Sequence, residues 1–429
     1  MKIAYITAGA ANMYCGSCMH DNTLAAALIA QGHDALLIPT YTPLRTDEED
    51  VSQHRVFFGG INVYLQQKLS FFRHTPRFLD RLLDFPRLLR WVSGFAVKVQ
   101  AEELGALTVA MLQGAHGPIR KEGAKLADWL AEEVKPDVIN LSNMLIAGMV
   151  PQVRSRVKAP LLVTLQGDDI FLDALIEPYR AQAMQLIRAL CQQIDGFITT
   201  SAYYADHMAS YLDIDRRKIH VVYPGLNLKG HGVDRPSTNG DPATIGYFAR
   251  ICPEKGLHVL VEAFYLLKQM PHTPPCRLRI SGYLGENNRA YFDELQKRIK
   301  NWGLSDWVEH VESPDHASKL RFLQSLDILS VPTTYREPKG LYILEALANG
   351  VPVVQPRHGS FPELIEATGG GILIEPDNPA DLARGLRRLL DDPSHREELS
   401  KKGKEAVHGR FHAANMATET VAVYRQYVL

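Results

Sequence analysis

What most constrains this 429-residue chain is an alternation of short apolar runs with helical stretches, which begins at the N-terminus and begins again after Asn239. KIAYIT, HDALLIP, PDVINLS, APLLVTLQ, DGFITTS and KIHVVYPG form the first series, each ending in small or polar residues. ATIGYFAR, RLRISGY, WVEHVES, DILSVPT, VPVVQP and GGILIEP form the second. Between them lie stretches such as DNTLAAALIAQG, GLHVLVEAFYLLKQM and NPADLARGLRRLLDD, with apolar residues three and four apart, the spacing of a helix buried on one face. Strands that are apolar along their length and alternate with helices build parallel sheets covered on both sides. The expectation is α/β, with two Rossmann-like doubly wound domains in sequence. The Gly- and Pro-containing stretch from Gly225 to Pro242 is the best linker. Residues 1–225 would form the first domain and 226–411 the second, with a final helix over about 412–429 packing back on the first.

A net charge of −1 gives no global attraction for nucleic acid, so anions must be bound by local groups. No apolar stretch reaches the roughly 18 residues of a membrane span, and the N-terminal run breaks into Gly and Ala too early for a signal peptide. A cytoplasmic protein is expected. Five cysteines are too few and too scattered for a disulfide scaffold, and only Cys15 and Cys18 have an informative spacing. Small residues filling a tight turn explain that pair better than a metal or redox role. Leu69 to Phe95 mixes aromatic and aliphatic residues with Arg73, Arg77, Arg81, Arg87 and Arg90. Packing on its own domain with solvated arginines is the expectation, and peripheral contact with the inner membrane face is the alternative.

Ligands of an open parallel sheet bind beyond the carboxyl ends of its strands. After the strand in DILSVPT comes Glu337-Pro338-Lys339-Gly340, then an apolar helix holding Glu345. The glycine lets the backbone amides of Lys339, Gly340 and Leu341 approach a ligand, and the helix N-terminus favours an anion. A buried Glu345 needs a donor such as a sugar hydroxyl. ATIGYFAR ends at Arg250, and five residues on Lys255-Gly256 stand at the next helix start. Two cations across a strand-to-helix loop can converge on a diphosphate without a metal. A lone surface cation or a helix-dipole carboxylate is the plainer alternative for each residue by itself.

The two segments, R-x-x-P-E-K-G and E-P-x-G-L-x-x-L-E-A-x-A-x-G-x-P-V-V, resemble the retaining glycosyltransferases of family 4. HGSFPELIE and TGGGILIEP follow the same pattern, as do DGFITTSAYYADHM, IHVVYPGLN and AQGHDALLIP more loosely upstream. The resemblance implies the GT-B fold, two Rossmann-like domains facing across a cleft, with the donor on the C-terminal domain and the acceptor mostly on the N-terminal one. It implies that Arg250 and Lys255 neutralise the donor diphosphate, that Glu345 binds ribose hydroxyls, and that Glu337 contacts the transferred sugar with the amides from Lys339 to Leu341 nearby. Catalysis would rest on Glu337, Arg250 and Lys255. The donor would also touch Gly16. No metal and no cofactor are expected: the nucleotide diphosphate sugar, a UDP-sugar first, is a substrate, and the acceptor is a glycan, a lipid-linked molecule or a small molecule.

Three positions depart from the family pattern. Lys339 replaces an aromatic residue. Gln166, followed by Asp168 and Asp169, stands where a histidine usually touches the sugar, and glutamine cannot titrate. The first loop has Gly16 and Ser17 within CGSC, followed by His20 and Asp21 at a helix start. His20, Gln166 and Asp168 are the acceptor-side candidates, and Asp21 is read as a helix N-terminal residue. Asp213 and Asp215 have the spacing of metal-binding aspartates but sit beside Arg216, Arg217 and Lys218, as in a solvated turn.

A nucleotide-sugar epimerase or a phosphorylase on the same fold is the nearest alternative function. A dinucleotide oxidoreductase lacks its G-x-G-x-x-G after the first strand. A non-catalytic sugar-binding module is disfavoured by the intact Arg250, Lys255, Glu337 and Glu345.

Overall fold

The computed structural model describes residues 1–9, 16–40, 44, 46–53, 101–117, 120–233, 242–313 and 315–428. Cys15 and the Leu69 to Phe95 segment lie outside them. The chain divides into two compact units, Met1–Tyr223 with Ala413–Leu429, and Pro224–His412.

Each of the twelve apolar runs contains a strand. In the first unit these are β1 (Lys2–Thr7), β2 (Asp34–Pro39), β3 (Val138–Leu141), β4 (Leu161–Leu165), β5 (Gly196–Thr199) and β6 (Ile219–Val221). The second unit has β7 (Ala243–Phe248), β8 (Cys276–Ser281), β9 (Val308–His310), β10 (Ile328–Leu329), β11 (Val353–Pro356) and β12 (Gly371–Ile374). All pairings are parallel, in the orders β2-β1-β3-β4-β5-β6 and β12-β11-β10-β7-β8-β9.

Most of the runs are apolar because both faces of the sheets are covered there, whereas β8 and β9, on one side of the second sheet, keep Arg277, Glu309 and His310 exposed. In β1, Ile3 and Tyr5 join one core with Leu24, Leu28, Met416 and Tyr424, while Ala4 and Ile6 join another with Leu126, Leu130 and Val163. This is the two-residue alternation of a strand, with apolar side chains required at both phases. The C-terminal helix Ala413–Tyr424 covers the first of these faces together with the helix Gly16–Ala30.

Strand order fixes where a ligand can bind. In each sheet the chain reverses its direction of winding next to the first strand of the unit, between β1 and β3 and between β7 and β10. In open parallel sheets it is at such a reversal, beyond the carboxyl ends of the strands, that ligands bind.

The loop after β7 depends on one glycine. Gly256 has φ +71°, and a Cβ there would lie 1.7 Å from the Pro332 carbonyl oxygen. Thr334 N–H also donates to Glu254 O at 3.0 Å, so the loops after β7 and β10 are in close contact. Gly256→Ala is expected to cost about 2 kcal/mol or more from left-handed strain plus the clash. Urea unfolding checks this, and a loss below about 0.5 kcal/mol would show that the two loops can separate freely.

Candidate functional site

In the second unit the residues singled out from the sequence collect at the β7/β10 reversal. Lys255 closes a short turn, Pro253–Lys255, directly before the helix Leu257–Gln269. Its ammonium donates to Glu337 Oε2 at 2.6 Å and to the Tyr335 hydroxyl at 2.5 Å. Tyr335 donates in turn to Glu337 Oε2 at 2.6 Å, and the Tyr342 hydroxyl donates to the same oxygen at 3.3 Å. The ammonium also lies 5.0 and 5.1 Å from the centres of the Tyr335 and Tyr342 rings, close enough for cation–π attraction.

Glu337 is buried, and burial alone would raise its carboxyl. The Lys255 charge, hydrogen bonds from Lys255 and Tyr335, and the charge of Lys339 more than offset this and hold it at about 2. The carboxylate is therefore ionised at any physiological pH. Among the described residues its Oε1 receives only long contacts, 3.3 Å from Lys339 N–H and 3.5 Å from Gly340 N–H. Gly340 caps the helix Leu341–Ala348 in a left-handed conformation, φ +66°. The segment after β11 supports this loop from behind, with Ser360 N–H donating to Glu337 O at 2.8 Å. A Cβ on Gly359 would lie 2.6 Å from both Glu337 N and O, so only glycine allows so close an approach.

Arg250 is exposed just beyond β7, and its charge acts on half-buried Tyr335. Lys339 is buried. Glu345, in the second turn of Leu341–Ala348, is also buried, with its Oε1 accepting from Lys319 Nζ at 2.8 Å. Three partners escaped the sequence reading: Tyr335, Tyr342 and Lys319. The two carboxylates that looked unpaired along the chain are each matched to a lysine, one 82 residues away and one 26. A lysine on the apolar face of the helix His316–Gln324, beside Phe322 and Leu323, was the available signal for the second.

In the first unit, Thr7, Asp21, Ser142, Asn143, Gln166 and Asp168 line a hollow of about 160 Å³ at the β1/β3 reversal. Asp21 corrects an expectation. It lies inside the helix Gly16–Ala30 rather than at its start, and is fully buried. Its Oδ1 accepts from Tyr5 Oη at 2.9 Å and Gln166 Nε2 at 2.8 Å, and its Oδ2 from Thr7 Oγ1 at 2.8 Å. The helix turns this residue inward because β1 presents two hydroxyls to it. Gln166 Nε2 also donates to Ser142 O at 3.1 Å, so both amide hydrogens are used and the side chain is fixed.

Asp168 accepts from Met144 N–H at 2.6 Å and Gln166 N–H at 3.0 Å, which joins the loops after β3 and β4. Burial outweighs these bonds and pushes its carboxyl up to about 6. Both of its oxygens are thus occupied by backbone, which explains its position without an acceptor. His20 is buried beside Asp21, with Nδ1 3.4 Å from Oδ1. Gly16 is exposed at the helix start. Asp215 caps the turn Arg216–Lys218 by accepting from Arg217 N–H at 3.0 Å, a solvated arrangement.

A larger, open hollow beside Asp195 and Lys218 lies at the amino ends of β5 and β6, the edge of the sheet away from these loops. Among the described residues no group of three or more His, Cys, Asp or Glu is placed to hold a metal ion, and no helix is long and apolar enough to cross a membrane.

Comparison with known proteins agrees with the fold. Residues 22–225 match a glycosyl transferase 4-like domain, and residues 234–406 match the glycosyl transferases group 1 family. An uncharacterised glycosyltransferase of Methanocaldococcus jannaschii is 24% identical over 99% of this chain and 98% of its own length. Glycogen synthase of Mycobacterium tuberculosis is 26% identical over 68% of this chain and 69% of its own. Among solved structures, sucrose-phosphate synthase from Thermosynechococcus elongatus superimposes with a TM-score of 0.71 at 19% identity, covering 99% of this chain and 98% of that one. The Anabaena protein HepE in complex with UDP gives 0.68 at 17% identity, over 99% and 100%. With consecutive matches to the two halves of one enzyme architecture, and two six-stranded parallel sheets to carry them, the chain belongs to the group 1, family 4-type glycosyltransferases and has the two-domain GT-B fold.

Proposed function

We propose that the chain transfers a glycosyl unit from a nucleotide diphosphate sugar, a UDP-sugar first, to a hydroxyl acceptor, with retention of anomeric configuration and without a metal ion. The observation that carries the reading is the cluster of Lys255, Glu337, Tyr335 and exposed Arg250 at the carboxyl ends of β7 and β10. Arg250 and Lys255 supply positive charge where the diphosphate leaves, and the Leu341–Ala348 helix adds backbone N–H groups at its start. Glu337, held ionised, accepts from a hydroxyl of the transferred sugar. Glu345 accepts from the ribose. The hollow beside Gln166 serves the acceptor.

In the front-face route the acceptor oxygen bonds to the anomeric carbon on the face from which the nucleoside diphosphate departs. The bond from that carbon to the phosphate oxygen breaks, and the acceptor proton passes to the leaving phosphate. No enzyme nucleophile is needed. Glu337 suits recognition better than covalent attack, since one of its oxygens already accepts from three donors. HepE, of the same fold, has been crystallised with UDP-glucose, which supports trying that donor first.

The test combines a thermal-shift panel of nucleotide sugars with an assay of donor turnover. A donor at a hundred times its Kd adds about 2.7 kcal/mol of stability. Turnover is expected to continue in EDTA, and proton NMR of the first product is expected to show the donor's anomeric configuration. Loss in EDTA with recovery in Mg²⁺ or Mn²⁺ refutes metal independence, and an inverted product refutes the front-face route. Glu345→Gln is expected to weaken nucleoside diphosphate binding by about 1–3 kcal/mol, the value of a charge-assisted hydrogen bond.

A further inference from the structure

Lys319 has no part in the assignments above, although it is 5% exposed. It lies on the helix His316–Gln324, whose other buried residues are Phe322 and Leu323. Positions three and four apart form one helix face, so a leucine at 319 would complete an apolar stripe. The chain instead buries an ammonium, which costs several kcal/mol unless its partner and geometry repay it. Among the described residues its partner is Glu345 Oε1, at 2.8 Å, with both side chains at least nine-tenths buried.

Glu345 is also anchored through its backbone. Its carbonyl accepts from Asn349 Nδ2 at 2.9 Å, and Asn349 Oδ1 accepts from Gly232 N–H at 3.2 Å. Among the described residues nothing donates to Glu345 Oε2. One oxygen is therefore fixed by the lysine and the other is left to accept. Packing explains neither feature, since a buried ion pair is seldom more stable than an apolar pair of the same size.

We propose that Lys319 is a positioning residue for nucleoside recognition: by holding Glu345 Oε1 it aims Oε2 at a ribose hydroxyl and makes the donor site distinguish ribonucleotides from 2′-deoxyribonucleotides. The proposal rests on the reading of Glu345 as the ribose contact. A carboxylate free to rotate would give up part of its hydrogen-bond energy to ordering when ligand arrives, and the lysine removes that cost beforehand.

The experiment uses the full chain. Calorimetry first identifies the tightest of UDP, ADP and GDP, then compares it with its 2′-deoxy form on wild type, Lys319→Met, Lys319→Gln and Glu345→Gln. Lys319→Met is expected to lower the ribo-to-deoxy affinity ratio by about fivefold or more, and to raise donor KM with kcat changed by less than about twofold. Lys319→Gln keeps a donor to Oε1 and is milder on the fold, so it is expected to lose less and it carries the test if the methionine variant does not fold. Adding Lys319→Met to Glu345→Gln is expected to change the ratio no further, because the lysine acts through the carboxylate. An unchanged ratio in both Lys319 variants, with Glu345→Gln weakened toward the ribonucleotide, overturns the proposal and leaves the ribose reading standing. An unchanged ratio in Glu345→Gln overturns the ribose reading itself, and the proposal with it.

Discussion

Lys255→Met is expected to destabilise the second unit by about 3–5 kcal/mol at pH 7 and to reduce donor turnover by about a hundredfold or more. The stability loss arises because the substitution leaves Glu337 ionised in a buried site with two tyrosine donors and no cation in direct contact. In the wild type the carboxyl sits at about 2 against an ordinary 4.5. A depressed carboxyl contributes stability that is present above 4.5 and lost as pH falls through about 2, and the difference corresponds to about 3 kcal/mol.

Without the lysine, the Tyr335 hydrogen bond and the Lys339 charge are left to oppose burial, so the carboxyl is expected to rise from its wild-type position. The variant then gains stability relative to the wild type as pH falls. Urea unfolding at pH 7 and again near pH 4 is expected to show the gap narrowing in acid. A constant gap at both values would mean that the loss comes from packing of the lysine stem and not from its charge. Combining Lys255→Met with Glu337→Gln removes both charges and is expected to restore most of the stability but none of the activity. This separates the structural and chemical contributions of the pair.

The second unit shows which parts of such a site can be read along a chain and which cannot. Most strands were legible because a parallel strand covered on both faces is apolar along most of its length, as in KIAYIT or VPVVQP. The loops Arg250 to Gly256 and Glu337 to Gly340 were legible because glycine and charge follow directly after such runs. Strand order was not, since nothing local in β10 says that it will lie beside β7 and not β9. The reversal between β7 and β10 therefore appeared only with the fold. Partners distant in sequence were hidden for the same reason. Lys319 could have been suspected as a cation on an apolar helix face, but its choice of Glu345 depends on two helices packing together.

Asp21 marks the opposite error, a residue assigned to a helix end because acidic residues are common there. The clue was in its surroundings. DNTLAAALIA is apolar after its first three residues, and a helix so rich in alanine and leucine buries most of its circumference. Tyr5 and Thr7, on the adjacent strand, bring hydroxyls into that core, and each needs an acceptor. One carboxylate satisfies both and also fixes the Gln166 amide.

Asp21→Ala is accordingly expected to cost about 3–5 kcal/mol, since it strands three buried donors and opens a cavity. Asp21→Asn is expected to cost only about 1 kcal/mol. The amide oxygen can keep the bonds from Tyr5 and Gln166, and the amide nitrogen can donate to Thr7 Oγ1, whose hydroxyl rotates to accept. Turnover should follow the same order, with the asparagine variant within about tenfold of wild type because Gln166 stays in place. A catalytic carboxylate would give the reverse pattern. An asparagine variant as stable as wild type but inactive, with nucleoside diphosphate affinity unchanged, would show that the charge of Asp21 and not its architecture serves the reaction, and would move the acceptor-side chemistry from Gln166 to the helix beneath it.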